Sequence, residues 1–480
     1  MSILAAFMVP HPPMIVPEVG KGSEKQISET IKAYEQVADE IASLQPDTVI
    51  ITSPHSVMYA DYFHISPGSA ATGSFARFGA PNVTFTESYD TELIEKICIL
   101  SEEMDFPAGT LGEREPELDH GTMVPLWFLR KKYTEGKIVR IGLSGLPLSE
   151  HYRLGKILAK AATESAKKVV IIASGDLSHK LQTYGPYGFA EEGPEYDKRI
   201  MEVCGAADFG ALLEFEPDFL EKAAECGHRS FVIMAGAFDG LSVKSKALSH
   251  QDVTGVGYGI CTFYPEIRSD DNDKPVDSTA EKTKAGKNEN RHFLRQYEER
   301  IEKECMEKAG ASDAYVKLAR AAVEAWVKSR TKLSVPENLP SEMIARQAGT
   351  FVSIHKCGQL RGCIGTIAAT TDCIAEEIIQ NAISACSRDP RFDFIREEEL
   401  KFLEISVDVL GDTEKIESPD ELDVKRYGVI VSYGSKRGLL LPNLEGVDTI
   451  EQQIDIARQK GGIREDESYE LERFEVVRHF

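Results

Sequence analysis

Apolar residues recur along the first half of the chain with two alternating periods. Ile3–Val9 is an unbroken apolar run of strand length, and residues 48–52 are β-branched and apolar, as in a strand buried on both faces. Between them, residues 23–44 carry Ile27, Ile31, Tyr34, Ala38 and Ile41 at helical spacing behind a serine that can cap the first turn. The alternation then repeats. Residues 137–143 predict a strand, 152–166 a helix and 168–173 a further strand, while 243–248 and 257–264 predict closing strands. That pattern defines an α/β domain, a mixed sheet with flanking helices, whose ligand crevice is expected beyond the carboxyl ends of the strands.

The second half follows a different plan. Residues 314–328 form an amphipathic helix with Val316, Ala319, Ala322, Val323 and Trp326 on one face. Residues 349–355 and 402–410 alternate as strands, 373–388 are helical, and 428–432 with 438–441 predict a hairpin, so this half is α+β. Between the halves, residues 266–290 hold only Ile267, Val276, Ala280 and Ala285 as apolar positions. A segment that polar cannot offset its own ordering entropy. The expected organisation is therefore a first domain over 1–265, a polar linker over 266–292 and a second domain over 293–480.

Composition narrows the class of partner. The 480 residues carry 55 Lys+Arg against 78 Asp+Glu, a formal charge of −23, with 42% hydrophobic residues. At roughly 150 residues per domain this length holds about two or three domains, each able to bury a core, so a wholly disordered chain is excluded. The negative field repels phosphate, and no Lys/Arg stripe interleaved with aromatics offsets it; nucleic acid and anionic membranes are not expected partners. Residues 1–13 lack the basic start of a leader, and no run approaches the roughly 18 apolar residues of a membrane span. Nine cysteines, an odd number with no CxxC pair, predict free thiols in a reducing compartment. A cytoplasmic location is the expectation, and a homo-oligomer is open.

Candidate chemistry gathers at strand ends. His11 follows the first strand in Val9-Pro10-His11-Pro12-Pro13, His55 follows the second in Ser53-Pro54-His55, and His179 closes Gly175-Asp176-Leu177-Ser178-His179 after a third. Asp119-His120-Gly121 adds a fourth histidine. Strand ends held by sheet hydrogen bonds let such side chains converge in one crevice, as a metal site requires. Glu225-Cys226-Gly227 lies at a helix–helix connection that can reach the same place. Two imidazoles and one carboxylate on one face of a divalent ion leave open positions for substrate and oxygen, so His11, His55 and Glu225 are the expected ligands. Only one of the neighbours Glu225 and Cys226 is expected to face the ion, with Glu225 preferred and Cys226 the alternative. His64, His151, His228, His250 and His292 carry no convergent pattern.

The ordered set of HPP, SPH, DHGTMVPL, GDLSH and ECG resembles the LigB-type class III extradiol dioxygenase superfamily, which also contains the Memo-like proteins, over about residues 1–265. The resemblance implies Fe(II), with zinc or manganese as alternatives, held by His11, His55 and Glu225. It also implies His179 as acid/base and His120 as a contact to substrate. A catecholic aromatic would then bind the iron through two oxygens and be opened by O₂. In Memo-like relatives a Cys takes the place of the acid, which keeps Cys226 in view.

In the second domain, LRGCIGT at 360–366, SRDPRF at 387–392, GLLLPNLE at 438–445 and the helix 452–460 resemble the AMMECR-type domain. There Arg361 and Cys363 are the candidate site residues: glycines near Cys363 permit a tight turn, and Arg361 can lower a nearby thiol pKa. The resemblance makes the chain look like a fusion of two members of one system, with a radical-SAM or Memo-system protein as an expected partner. A Memo-like redox or modification protein and a non-catalytic scaffold are the competing readings. Residues 255–259 (GVGYG) lack the spacing of a dinucleotide loop and are expected to begin a closing strand.

Overall fold

The computed structural model describes residues 2–112, 114–266, 292–444 and 446–480. The expected linker, apart from its two end residues, lies outside the described residues. The chain divides into two compact units, Met1–Tyr297 and Glu298–Phe480. The division falls a few residues inside the expected second domain because Phe293, Leu294 and Tyr297, at the start of the helix Phe293–Ala311, pack into the first unit's core.

The first unit is built on a six-stranded sheet in the order Lys137–Gly142, Thr48–Ser53, Val169–Ser174, Ile3–Val9, Tyr258–Pro265, Val243–Gln251. The first four strands run parallel and Tyr258–Pro265 runs antiparallel to both its neighbours, which gives the mixed sheet expected. Thr48–Ser53 and Val169–Ser174 are buried at every residue, so both faces must be covered. On one side, Ser28–Leu44 and His120–Leu129 pack together, with Tyr34 stacked on Phe128 at 4.2 Å between ring centroids. On the other, Leu148–Glu164 crosses His228–Gly236 at very close range. A Cβ on Gly155 would meet the Ile233 carbonyl oxygen at 2.0 Å, and one on Gly236 the Tyr152 oxygen at 2.0 Å. The hairpin Ala70–Phe75 with Ala80–Ser88 was not among the expected elements, although Val83, Phe85 and Glu87 alternate with exposed Thr84, Thr86 and Ser88.

The second unit is an antiparallel sheet in the order Gln359–Gly365, Thr350–Lys356, Leu403–Leu410, Glu470–His479, Tyr427–Tyr433, Lys436–Leu440. Ala314–Ser329 and Ile374–Ser387 cover its first strands and Ile450–Lys460 its hairpin. Cys363 therefore sits in a strand and not in the tight turn that the neighbouring glycines suggested: Gly362 is there because a Cβ would meet the Ala385 carbonyl oxygen at 2.2 Å. No helix among the described residues is long and apolar enough to cross a membrane.

His151, with no sequence pattern to explain it, is a core residue. Its Nδ1 donates to the Pro147 carbonyl (3.1 Å), its Nε2 accepts from the Ser144 N–H (3.4 Å), and Phe63 meets it edge-on. Burial holds it down at about 3. The unfolded chain takes up this proton below about 6.5 while the folded one does not, so stability is lost as pH falls through that value. The loss from this one group should reach about 2 kcal/mol at pH 5. Urea unfolding at pH 7 and pH 5 should show it, with a shallower pH dependence in His151→Gln; equal slopes would contradict the assignment.

Candidate metal centre

The parallel register places the donors. Val9 pairs with Ser174 and Thr52 with Ala173, so these strands end level with one another. His11 and Asp176 each lie two residues past the Val9–Ser174 pair, and His55 two past Ser53. The His11 N–H donates to Asp176 Oδ1 at 2.7 Å, tying the first two loops together. Asp119 ties in the fourth motif. Its carboxylate accepts from Ser53 Oγ (2.5 Å) and caps the helix His120–Leu129 through Thr122 N (3.0 Å) and Thr122 Oγ1 (2.9 Å). Fully buried Arg140 braces this arrangement, donating to Ser66 Oγ and the Glu117 carbonyl at 2.7 Å each.

His11, His55 and His120 thus converge. His11 Nε2 lies 3.0 Å from His55 Nε2, and His120 stacks on His55 at 4.0 Å between centroids. The tautomer of His11 follows from its neighbours. Ser174 Oγ donates to the Gly121 carbonyl at 2.6 Å and has no second proton, so at 3.0 Å it accepts from His11 Nδ1–H. The lone pair of His11 is left on Nε2, facing the crevice. Burial, then the neighbouring His55, holds His11 well below the usual imidazole range; burial likewise lowers His55, and lowers His120 to about 3. At neutral pH all three are uncharged, the form that binds metal.

Of the adjacent pair Glu225 and Cys226, it is Cys226, the alternative, that faces His11 and His55. Glu225 is turned to the N-terminus of the helix His228–Gly236, where its Oε2 accepts from the His228 N–H at 2.6 Å. The orphan N–H groups there give the Glu225 side chain its partner, while burial raises its carboxyl to about 7. Cys226 faces the crevice instead, its Sγ 3.6 Å from His11 Nε2 and accepting from the Asp176 N–H at 3.3 Å. Two overlapping donor sets result among the described residues, His11–His55–Cys226 and Asp176–His179–Cys226, each with its donor atoms within 4.8 Å of one another. Two nitrogens and a sulfur on one tetrahedral ion lie roughly 3.3–3.6 Å apart, so the first set fits an ion with little adjustment. Burial, then the Asp176 charge, keeps the free Cys226 thiol protonated.

Asp176 is the residue that the sequence reading passed over, although it stands inside GDLSH. Burial raises its carboxyl to about 6. His179 shares its surroundings: burial lowers its imidazole, its Nε2 is buried with no hydrogen bond among the described residues, and its ring stacks on Tyr187 at 5.0 Å. His228 is not part of the centre. It donates through Nε2 to the Leu212 carbonyl at 2.9 Å, and Tyr196 contacts its Nδ1 at 3.3 Å. A cavity of about 500 Å³ opens beside the donors, lined by His55, Arg77, Phe78, Glu117, Asp119 and His120 among others.

In the second unit the sequence-predicted pair is separated in function. Arg361 is consumed by structure, its Nε and Nη2 on Glu399 at 3.0 and 3.1 Å and its Nη1 on the Asp393 carbonyl at 2.7 Å. Cys363 has Ser353 beside it instead, with Ser353 Oγ donating to Sγ at 3.2 Å.

Fold and site together define an α/β protein with an imidazole–thiol–carboxyl cluster at the carboxyl edge of a mixed sheet. Residues 5–261 match the family model described as the catalytic LigB subunit of aromatic ring-opening dioxygenase, and residues 316–479 match the AMMECR1 family. The chain belongs to the LigB family through its N-terminal domain and carries an AMMECR1 domain after it. A protein of Clostridium acetobutylicum is 40% identical over 496 aligned residues, 100% of this chain and 99% of that one, so the two-domain fusion is shared. A Thermotoga maritima protein is 46% identical over 167 residues, 34% of this chain and 96% of its own length. Among solved structures, an uncharacterized Pyrococcus horikoshii protein is 31% identical over 34% of this chain and 88% of its own (TM-score 0.32). One from Escherichia coli K12 is 14% identical over 54% and 99% (TM-score 0.37).

One backbone contact holds the thiol in place. A Cβ on Gly175 would meet Gly227 Cα at 2.0 Å, so the GDLSH and ECG loops touch backbone to backbone. Gly175→Ala should therefore cost at least about 2 kcal/mol in urea unfolding of the first unit. An unchanged midpoint would show that the loops can part.

Proposed function

We propose that the N-terminal domain is a metal-dependent oxidoreductase that holds its ion between His11, His55 and Cys226 and acts by redox chemistry, as in the Memo-like branch of its superfamily. The observation that carries this reading is the orientation of the adjacent pair: Cys226 Sγ lies 3.6 Å from His11 Nε2, and Glu225 caps a helix. A thiolate makes the site softer than two imidazoles and a carboxylate would. It favours iron, zinc or copper over manganese. When bound, the ion would supply an open coordination position and, as iron or copper, a centre for electron transfer; zinc would supply only the former.

The chain's own residues supply the rest. Ser174 fixes the His11 tautomer, and Asp119 holds both the SPH loop and the start of the His120 helix. His179 has a buried, unused Nε2 and a neutral ring, so it can take a proton from a group bound in the crevice, with the Asp176 carboxyl close enough to stabilise the imidazolium. His120, at the cavity wall, is placed to donate a hydrogen bond to a substrate oxygen.

The second reading, opening of a catecholic ring with O₂, is favoured by the match to ring-opening dioxygenases and by a cavity of a size that admits a small aromatic. In either reading the AMMECR-type domain is a candidate docking module for a radical-SAM partner.

Elemental analysis of protein purified without oxygen separates the possibilities. Cys226→Ser should lose metal affinity by at least about tenfold, while Glu225→Gln keeps its metal. Near-stoichiometric metal in Cys226→Ser together with its loss in Glu225→Gln would overturn the thiolate site. Oxygen consumption by the metal-loaded wild type on simple catechols would establish ring opening, and none is expected.

A further inference from the structure

The metal centre leans on a residue outside the five motifs. Tyr34, on the helix Ser28–Leu44, is buried, and its hydroxyl donates to the carbonyl of Pro10, immediately before His11. The N–H of that same peptide unit, carried by His11, donates to Asp176 Oδ1 at 2.7 Å. A peptide unit is planar, so one bond at its oxygen and another at its nitrogen fix the rotation of the whole plane. The direction in which the His11 side chain leaves the backbone is fixed with it. Pro12, next in the chain, restrains His11 to extended backbone. Pro10 is itself buried, so solvent does not replace the bond from Tyr34.

The tyrosine is held in turn by its ring. It stacks on Phe128 at 4.2 Å between centroids, with the two planes 8° apart. Phe128 belongs to the helix that begins at His120, and the Gly121 carbonyl of that helix accepts from Ser174 Oγ, the partner of His11 Nδ1. One aromatic side chain thus joins the His11 loop to the helix that brings His120.

We infer that Tyr34 is a positioning residue of the metal centre: by pinning the Pro10–His11 peptide it aims His11 Nε2 at the ion, and without its hydroxyl the ion is held more weakly. That role rests on the proposed ligand set of His11, His55 and Cys226.

Cobalt(II), titrated into the metal-free full chain without oxygen, is the probe. Held by two imidazoles and a thiolate, it gives a thiolate charge-transfer band in the near ultraviolet and visible ligand-field bands that follow its geometry. Tyr34→Phe keeps the ring and its stack but should bind cobalt at least about tenfold more weakly, with altered ligand-field bands. Tyr152→Phe is the control. It removes another buried hydroxyl, one that donates to Asp239 at 3.0 Å on the other side of the sheet, and should lower the urea midpoint without moving affinity or bands. Should Tyr34→Phe not fold, Phe128→Leu, which removes the stack and leaves the hydroxyl, should show the weaker cobalt binding in its place. Unchanged affinity and bands in the variant, or an equal loss in Tyr152→Phe, would overturn the positioning role while a thiolate band in the wild-type protein leaves the ligand set standing. Absence of that band from the wild-type protein would overturn both.

Discussion

The level ending of three parallel strands governs where chemistry can occur in the first unit. With Val9 opposite Ser174 and Thr52 opposite Ala173, residues two positions further on must enter one crevice, whatever the loops do later. Histidines there need no long-range coincidence to meet. The same register explains why Asp176 joins them: it is the equivalent, on its own strand, of His11 on the first. Sheet hydrogen bonds fix the three backbones, and the side chains inherit that rigidity.

Rigid backbones alone would leave the rings free to turn, and buried polar contacts remove that freedom. Ser174 joins the His11 ring to the Gly121 carbonyl, and Asp119 joins the second strand to the helix that begins at His120. Each of these groups is buried and has its partner, so none can be exchanged without leaving another unsatisfied. The tautomer of His11 that leaves its lone pair on Nε2 is thereby set by the fold. The Gly175–Gly227 contact does the same for Cys226, since only two residues without side chains let the loops approach so closely.

Much of this was legible in the sequence. Strand runs such as Ile3–Val9 and the histidines that follow them could be read because burial on both faces imposes unbroken apolar runs and the next loop has to leave the sheet. What could not be read was orientation. Glu225 and Cys226 are adjacent, and the favourable chemistry of a carboxylate ligand argued for the first. The helix that begins at His228 has free N–H groups that attract the same carboxylate, and that local demand prevailed. Arg361 illustrates a related limit: Glu399, 38 positions away, takes its guanidinium, a contact that no local pattern announces.

The thiols Cys226 and Cys363 are both partly accessible, yet their surroundings differ. Cys226 faces the Asp176 carboxyl and is deeply desolvated, so it stays protonated until a cation displaces the proton. Such a thiol is a poor nucleophile. Cys363 is partly exposed in a strand of the second unit, with the Ser353 hydroxyl directed at its sulfur. The two thiols thus differ in what each fold sets beside the sulfur, a buried carboxyl at Cys226 and a serine hydroxyl at Cys363.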